Sequence, residues 1–114
     1  MNSSPIDLPS VLERVDNDQD FLESLLDLYQ EDFVEKYDRL KTAVFAKDFA
    51  AIQEIGHSLK GASANLSLLP LQELCLRLER AGREQDSRSA EEALPLIEEE
   101  FNRLKEYRAA RRKE

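Results

Sequence analysis

Residues 49–66 read FAAIQEIGHSLKGASANL, and their apolar side chains recur at steps of three and four residues. An α-helix turns by about 100° per residue, so these steps place the apolar side chains on one face. The pattern predicts an amphipathic helix with one buried stripe, made of Ile52, Ile55, Leu59, Ala62 and Leu66. Asp48 stands immediately before it and is of a type that commonly caps helix N-termini.

Similar periodicity on both sides predicts four further helices. A short first helix is expected over residues 9–15 and a long second helix over residues 19–46. A fourth helix is expected to begin near Pro70, with Leu74 and Cys75 on its buried stripe.

A polar turn predicted over residues 82–89 precedes the fifth helix, where Ser89 and Glu92 fit a capping box. Pro95 removes a backbone donor inside this helix, which predicts either a kink or a later helix start. Four long helices with short connections predict an all-α fold. We expect an antiparallel four-helix bundle with a short additional N-terminal helix.

The composition limits the classes of function. The 114 residues suffice for one domain, and a net charge of −8 argues against nucleic-acid binding, which requires excess Lys and Arg. The one basic cluster, residues 108–113, suits the last turn of a helix. A single cysteine permits no internal disulfide, and neither a membrane span nor a signal peptide is apparent, so we expect a cytoplasmic location.

His57 is the only histidine, which excludes a metal site with several histidine ligands. It lies roughly 200° from Ile55 and about 160° from Leu59 around the helix, and therefore points away from the buried stripe. Lys60 lies one turn further along the same outer face. By itself, an outward histidine is either an ordinary surface residue or a reactive group.

Gly61 and Ala64 leave that outer face almost bare around the imidazole. A glycine inside a helix costs about 1 kcal/mol relative to alanine, so a compensating gain is expected. Either the backbone of another protein approaches His57 closely here, or Gly61 eases packing against a neighbouring helix.

Antiparallel helices bring residues that are equally far from their connecting turn to the same height. Counting from the turns on either side of the third helix therefore places four residues at the height of His57: Val34, Tyr37, Leu78 and Glu79. Four apolar residues are surplus to the core stripe of the second helix: Phe21, Leu28, Val34 and Tyr37. They either cover the first helix or form an apolar docking patch beside His57. Gln53 and Glu54, one turn before His57, either orient the imidazole or belong to a solvated helix face.

The segment His57-Ser-Leu-Lys60-Gly61-Ala-Ser63-Ala-Asn-Leu66 resembles the signature of histidine-phosphotransfer (HPt) domains, close to His-x-Leu-Lys-Gly-x-Ser/Ala-x-x-Leu-Gly. Residues 25–32 and 71–79 look like the flanking helices of that family, and the likeness covers approximately residues 6–107. In one departure, Ser67 stands where the family usually has glycine. This either alters the turn after the third helix or caps the fourth helix.

The resemblance implies a phosphocarrier without its own kinase core, rather than an enzyme. His57 would accept and donate a phosphoryl group, Lys60 would place positive charge beside its oxygens, and Gly61 would permit close approach. The implied partners are response-regulator receiver domains and a hybrid histidine kinase, and a monomer that exposes His57 is favoured. No cofactor is expected on this chain, because the receiver would supply the carboxylate and Mg²⁺.

Two alternatives stay open. The chain could be the phosphoryl-accepting domain of a chemotaxis-type histidine kinase, although that reading expects a kinase core further along the chain. It could also be a helical adaptor that only binds partners through its outer faces.

Overall fold

The computed structural model describes residues 4–112, which form five α-helices and contain no β-strand. In chain order the helices are α1 (Leu8–Arg14), α2 (Gln19–Ala46), α3 (Phe49–Asn65), α4 (Leu69–Glu84) and α5 (Ser87–Arg112). This confirms the predicted all-α class and the predicted bounds of the second helix. No helix within the described range is both long and apolar enough to span a membrane.

The four long helices pack in a closed sequence, with α2 against α3, α3 against α4, α4 against α5, and α5 back against α2. α3 and α4 run antiparallel, as two close backbone contacts show. Gly56 lies against Glu79, whereas Gln53, one turn earlier on α3, lies against Gly82, one turn later on α4. The capped start of α3 is also as predicted, since the Asp48 carboxylate accepts the Ala51 backbone N–H at 3.1 Å.

An aromatic layer joins α2 to α5 within the core. The Phe33 ring stacks on Phe101, with centroids 3.9 Å apart, and also on Tyr37 at 5.6 Å. Tyr37 is buried, and its hydroxyl donates to the Leu94 carbonyl at 3.1 Å. The prediction that Tyr37 is surplus to the core is therefore wrong, because α5 covers that side of α2.

The predicted apolar stripes are buried with few exceptions. Ile52, Ile55, Leu59 and Leu66 all lie in the core, as does Cys75 on α4. Two residues that were placed on these stripes are only partly buried, namely Ala62 and Leu74.

The connection between α4 and α5 is shorter than predicted. α4 continues to Glu84, and the capping box at Ser89 is wrong: the Asp86 carboxylate accepts both the Ser89 backbone N–H (3.0 Å) and its hydroxyl (2.7 Å). Gly82 is buried against α3 instead of lying in a polar turn. Pro95 lies inside α5, which begins at Ser87, so the later helix start is also wrong.

Arg111 and Arg112 of the predicted basic cluster lie in the last turn of α5, whereas Arg108 is buried. Its side chain is 3% exposed, and one guanidinium nitrogen lies 2.8 Å from both a Glu23 and an Asp27 carboxylate oxygen on α2. These ion pairs with the acidic first half of α2 bury the arginine and hold the end of α5 against α2. Lys113, the last member of the predicted basic cluster, lies outside the described residues.

Ser67 adopts a left-handed backbone conformation, with φ of 55°, directly after the end of α3. Its N–H donates to the Ala64 carbonyl at 3.1 Å, and that of Leu68 donates to Ser63 at 2.9 Å, which together form a Schellman motif. The cap of α4 is Leu68, without a side-chain hydrogen bond, so Ser67 does not cap α4. The left-handed position explains why glycine suits this site.

We expect Ser67→Gly to raise the free energy of unfolding by about 1 kcal/mol, because glycine adopts this conformation without strain at Cβ. Urea denaturation followed by circular dichroism measures the change. Ser67→Ala is the matched control, since it removes the same hydroxyl but keeps the strain, and it should not stabilise. Equal stability of the glycine and alanine variants would contradict strain as the cause.

Candidate functional site

His57 lies on the outer face of α3, as the helical spacing predicts. Its side chain is 69% exposed, although the residues before and after it in the helix are buried or partly buried. One ring nitrogen is engaged: Nδ1 lies 2.9 Å from Oε2 of Glu79 on α4. The ring is therefore both accessible from solvent and held in a defined orientation.

Glu79 is a buried carboxylate at the centre of this site, with a side chain only 8% exposed. Its Oε1 accepts a hydrogen bond from the Lys60 ammonium at 2.6 Å, and its Oε2 lies 3.7 Å from the Arg83 guanidinium. Two cations and the imidazole thus share one carboxylate. Such pairing is what makes a buried charge tolerable inside a protein.

The contact with Glu79 fixes the tautomer of the neutral imidazole. An ionised carboxylate can only accept hydrogen bonds, so Nδ1 of His57 must carry the proton that it shares with Glu79. In the neutral ring Nε2 then keeps its lone pair, and it lies on the side of the ring opposite Nδ1. The arrangement presents an unprotonated nitrogen at the exposed end of the side chain.

Hydrogen bonding keeps Glu79 ionised. The bond from the Lys60 ammonium, reinforced by the one from His57, holds the pKa of the Glu79 carboxyl below its usual value even though burial opposes ionisation. Because the pKa is depressed in the folded protein, this carboxylate stabilises the fold at pH values above about 4.5, and the contribution is lost as the pH falls through the folded value.

Glu79→Gln is therefore expected to lower the free energy of unfolding by about 1–2 kcal/mol at neutral pH, because the amide cannot pair with Lys60 as a carboxylate does. The deficit should shrink between neutral pH and an acid pH well below 4.5, because the wild-type carboxyl becomes protonated as the pH falls through its depressed pKa. Urea denaturation at both pH values measures this. Glu73→Gln, an exposed change on the same helix, is the control; a deficit at Glu79 that does not depend on pH would contradict the ion-pair assignment.

Gly61 faces open space. A Cβ atom at this position would have no neighbour within 4 Å beyond its own turn of helix. The alternative that Gly61 eases packing against another helix is therefore wrong. The bare surface beside His57 is accessible to a second molecule.

Two partly apolar surfaces lie beside α3, the helix that carries His57. On the α2 side, Leu28 and Ala62 line a shallow groove, and on the α4 side Leu69 and Leu76 line another next to Lys60. Leu28 is 61% exposed. Phe21 and Val34 of α2 are also exposed, by 51% and 61%.

Two other ionisable groups near α3 are either unreactive or already paired with a neighbouring side chain. Burial raises the pKa of the Cys75 thiol to about 12, so this cysteine is inert as a nucleophile. Residues 4–112 contain no cluster of metal-binding side chains. Lys36 of α2 donates to the hydroxyl of Ser58 at 2.7 Å and pairs with Asp32 at 2.8 Å, which brings a second cation beside the residue that follows His57.

Comparison with known proteins agrees with this geometry. Residues 24–107 match the family model of the Hpt domain. The chain belongs to the Hpt domain family. Its fold is similar to the crystal structure of histidine-containing phosphotransfer protein B (HptB) from Pseudomonas aeruginosa PAO1, with a TM-score of 0.84, 26% sequence identity, and 97% of this chain and 98% of that chain covered. No curated protein sequence matches the chain.

In this Hpt domain Glu79 pairs with both His57 and Lys60. The sequence predicted only that Glu79 lies at the same height along the bundle as His57. A signal was available, because Glu79 lies four residues after Cys75 and continues the buried stripe of α4. A carboxylate on such a stripe indicates a buried partner. Gln53 and Glu54 were the residues predicted as one alternative to orient the ring. Within residues 4–112 the ring is hydrogen-bonded by Glu79 and by neither of these two.

Proposed function

We propose that this Hpt domain is a phosphocarrier that accepts a phosphoryl group on His57 Nε2 and passes it to another protein. The observation that carries the proposal is the pairing of an exposed His57 with the buried Glu79, which leaves Nε2 as the free nucleophile. The proposed partners are aspartates of response-regulator receiver domains, with a hybrid histidine kinase as the source of phosphate. The name of the similar protein, HptB, supports the same chemistry.

The proposed step is a displacement at phosphorus. The Nε2 lone pair forms the new P–N bond, the P–O bond to the receiver aspartate breaks, and the aspartate leaves as a carboxylate. The proton on Nδ1 stays with the ring, and Glu79 balances the positive charge that the phosphorylated ring acquires. Mg²⁺ and the acyl phosphate belong to the receiver, so the chain itself needs no bound cofactor.

Lys60 is proposed to place positive charge beside the phosphoryl oxygens. The side chain of Lys60 is 27% exposed and lies one helical turn from His57, so its ammonium can reach an incoming dianion. In the resting site it is paired with Glu79 at 2.6 Å. Phosphoryl transfer depends mainly on such positioning and charge stabilisation.

The docking of a receiver is proposed to use the surface around Gly61. The exposed apolar side chains on both sides of His57 would supply contact area, and the missing side chain at Gly61 would let the acyl phosphate reach Nε2. We further propose that the chain acts as a monomeric single Hpt domain with a core over residues 6–107, and that α2–α5 form an antiparallel four-helix bundle. The observed α3–α4 orientation supports this arrangement.

Label transfer tests the proposed function. A receiver domain charged with labelled acetyl phosphate is mixed with the purified chain, and the label on the chain is followed on a gel. We expect rapid uptake of label that acid removes and base does not, as phosphohistidine requires. A helical adaptor would take up no label from any receiver, and base-labile label would indicate an acyl phosphate instead of phosphohistidine.

A further inference from the structure

Gly56, the residue before His57, lies at a close approach of the α3 and α4 backbones beside the site. A Cβ atom at position 56 would lie 2.8 Å from the backbone nitrogen of Glu79 and 3.0 Å from its Cα. It would also lie 3.2 Å from the carbonyl oxygen of Cys75. Carbon atoms in van der Waals contact are ordinarily about 3.5–4.0 Å apart, so only glycine allows this approach.

One residue of α4 therefore meets two consecutive residues of α3. The backbone of Glu79 packs on Gly56, while its carboxylate bonds Nδ1 of His57 at 2.9 Å. The distance between the two helix backbones at Gly56 thus decides whether the carboxylate reaches the imidazole. It also explains why this carboxylate is almost fully buried although the ring that it holds is exposed.

A second close contact between the two helices limits how far α4 can move away from α3. One turn away, a Cβ atom at Gly82 would lie 2.4 Å from the backbone nitrogen of Gln53 and 2.8 Å from the Phe49 carbonyl oxygen. The two helix backbones are therefore in close contact at two positions one helical turn apart. An added methyl group at position 56 would have to displace the backbone at Glu79 itself, because its neighbours there are backbone atoms.

We propose that Gly56 is a positioning residue for phosphoryl transfer, because it seats the Glu79 backbone close enough to α3 for the carboxylate to hold His57 Nδ1 and leave Nε2 as the nucleophile. This inference rests on the proposed phosphocarrier function. It assigns to Gly56 a role in the state of the imidazole that a purely structural packing glycine would not have.

The test is Gly56→Ala, with the tautomer of His57 as the main readout. Nitrogen-15 chemical shifts of the two ring nitrogens at about pH 9, where a histidine ring is ordinarily neutral, report which nitrogen carries the proton. We expect the wild type to be protonated mainly on Nδ1 and the variant to lose this preference. The rate of label uptake should fall roughly tenfold or more, because displaced groups lose near-attack geometry.

Leu104→Ala on α5 is the control for lost stability, since Leu104 is fully buried and lies on another helix. It should lower the melting temperature without changing the tautomer or the rate of uptake by the folded protein. A Gly56→Ala protein that unfolds at lower temperature but keeps the wild-type tautomer and rate would overturn the proposal, because Gly56 would then serve packing alone.

Glu79→Asp keeps the proposal testable if Gly56→Ala fails to fold. The shorter side chain withdraws the carboxylate by one methylene group and leaves Gly56 in place, so we expect the same loss of the Nδ1–H tautomer. An unchanged tautomer in this variant would overturn the proposal, because the reach of the carboxylate would not matter. The tautomer is read without any phosphate, so a wild type that shows the tautomer but takes up no label disproves the phosphocarrier function separately.

Discussion

His57→Gln should abolish uptake of label from a charged receiver domain while leaving the fold intact. The glutamine amide can still donate a hydrogen bond to Glu79, and glutamine is a good helix former, so the bundle loses little. What it lacks is the unprotonated ring nitrogen, because an amide nitrogen has no available lone pair. A gel-based transfer assay and a urea melt of the same preparation measure both parts of this expectation.

The appropriate control for the assay is Lys105→Gln, which changes an exposed residue of α5 far from α3. It should accept label at the wild-type rate. Label that persists in the His57→Gln protein and is acid-labile would show that another nitrogen carries the phosphate. In that case the assignment of His57 fails, even though the chain could still be a carrier.

Gly61→Gln is expected to slow transfer by roughly tenfold or more and to stabilise the folded chain by about 1 kcal/mol. Position 61 lies one helical turn from His57, so a long side chain there would occupy the space through which the receiver approaches. Nothing else in the described chain contacts that space. A lower transfer rate together with a higher free energy of unfolding would show that the side chain obstructs the receiver, because damage to the fold would lower both.

Stopped-flow or rapid-quench transfer rates and urea denaturation together measure this result. Ala109→Gln, an exposed change on α5, is the matched control, and its transfer rate should equal that of the wild type. If Gly61→Gln transfers phosphate at the wild-type rate, close approach at this face is not needed, and the docking surface must lie elsewhere around His57.

The helices were predictable from local information, and the predictions held where that information is strong. The bounds of α2 follow from apolar steps over many turns, and α3 begins after Asp48, whose side chain caps it. The turn between α4 and α5 was wrong, because Gly82 looks like a turn residue in the sequence. Its actual role, close packing on Gln53, involves a residue nearly thirty positions away and leaves no local pattern.

By itself, the sequence determined the all-α class, the outward direction of His57 and the likeness to the Hpt family, because helical periodicity and a contiguous motif are local properties. Only the tertiary structure decided what His57 touches. The partner, Glu79, reaches the imidazole because α3 and α4 meet backbone to backbone at Gly56, and this contact depends on how two separate helices pack. The electrostatics of the site follow from that distance, since a buried carboxylate orients the ring and pairs with Lys60 only when its backbone lies this close.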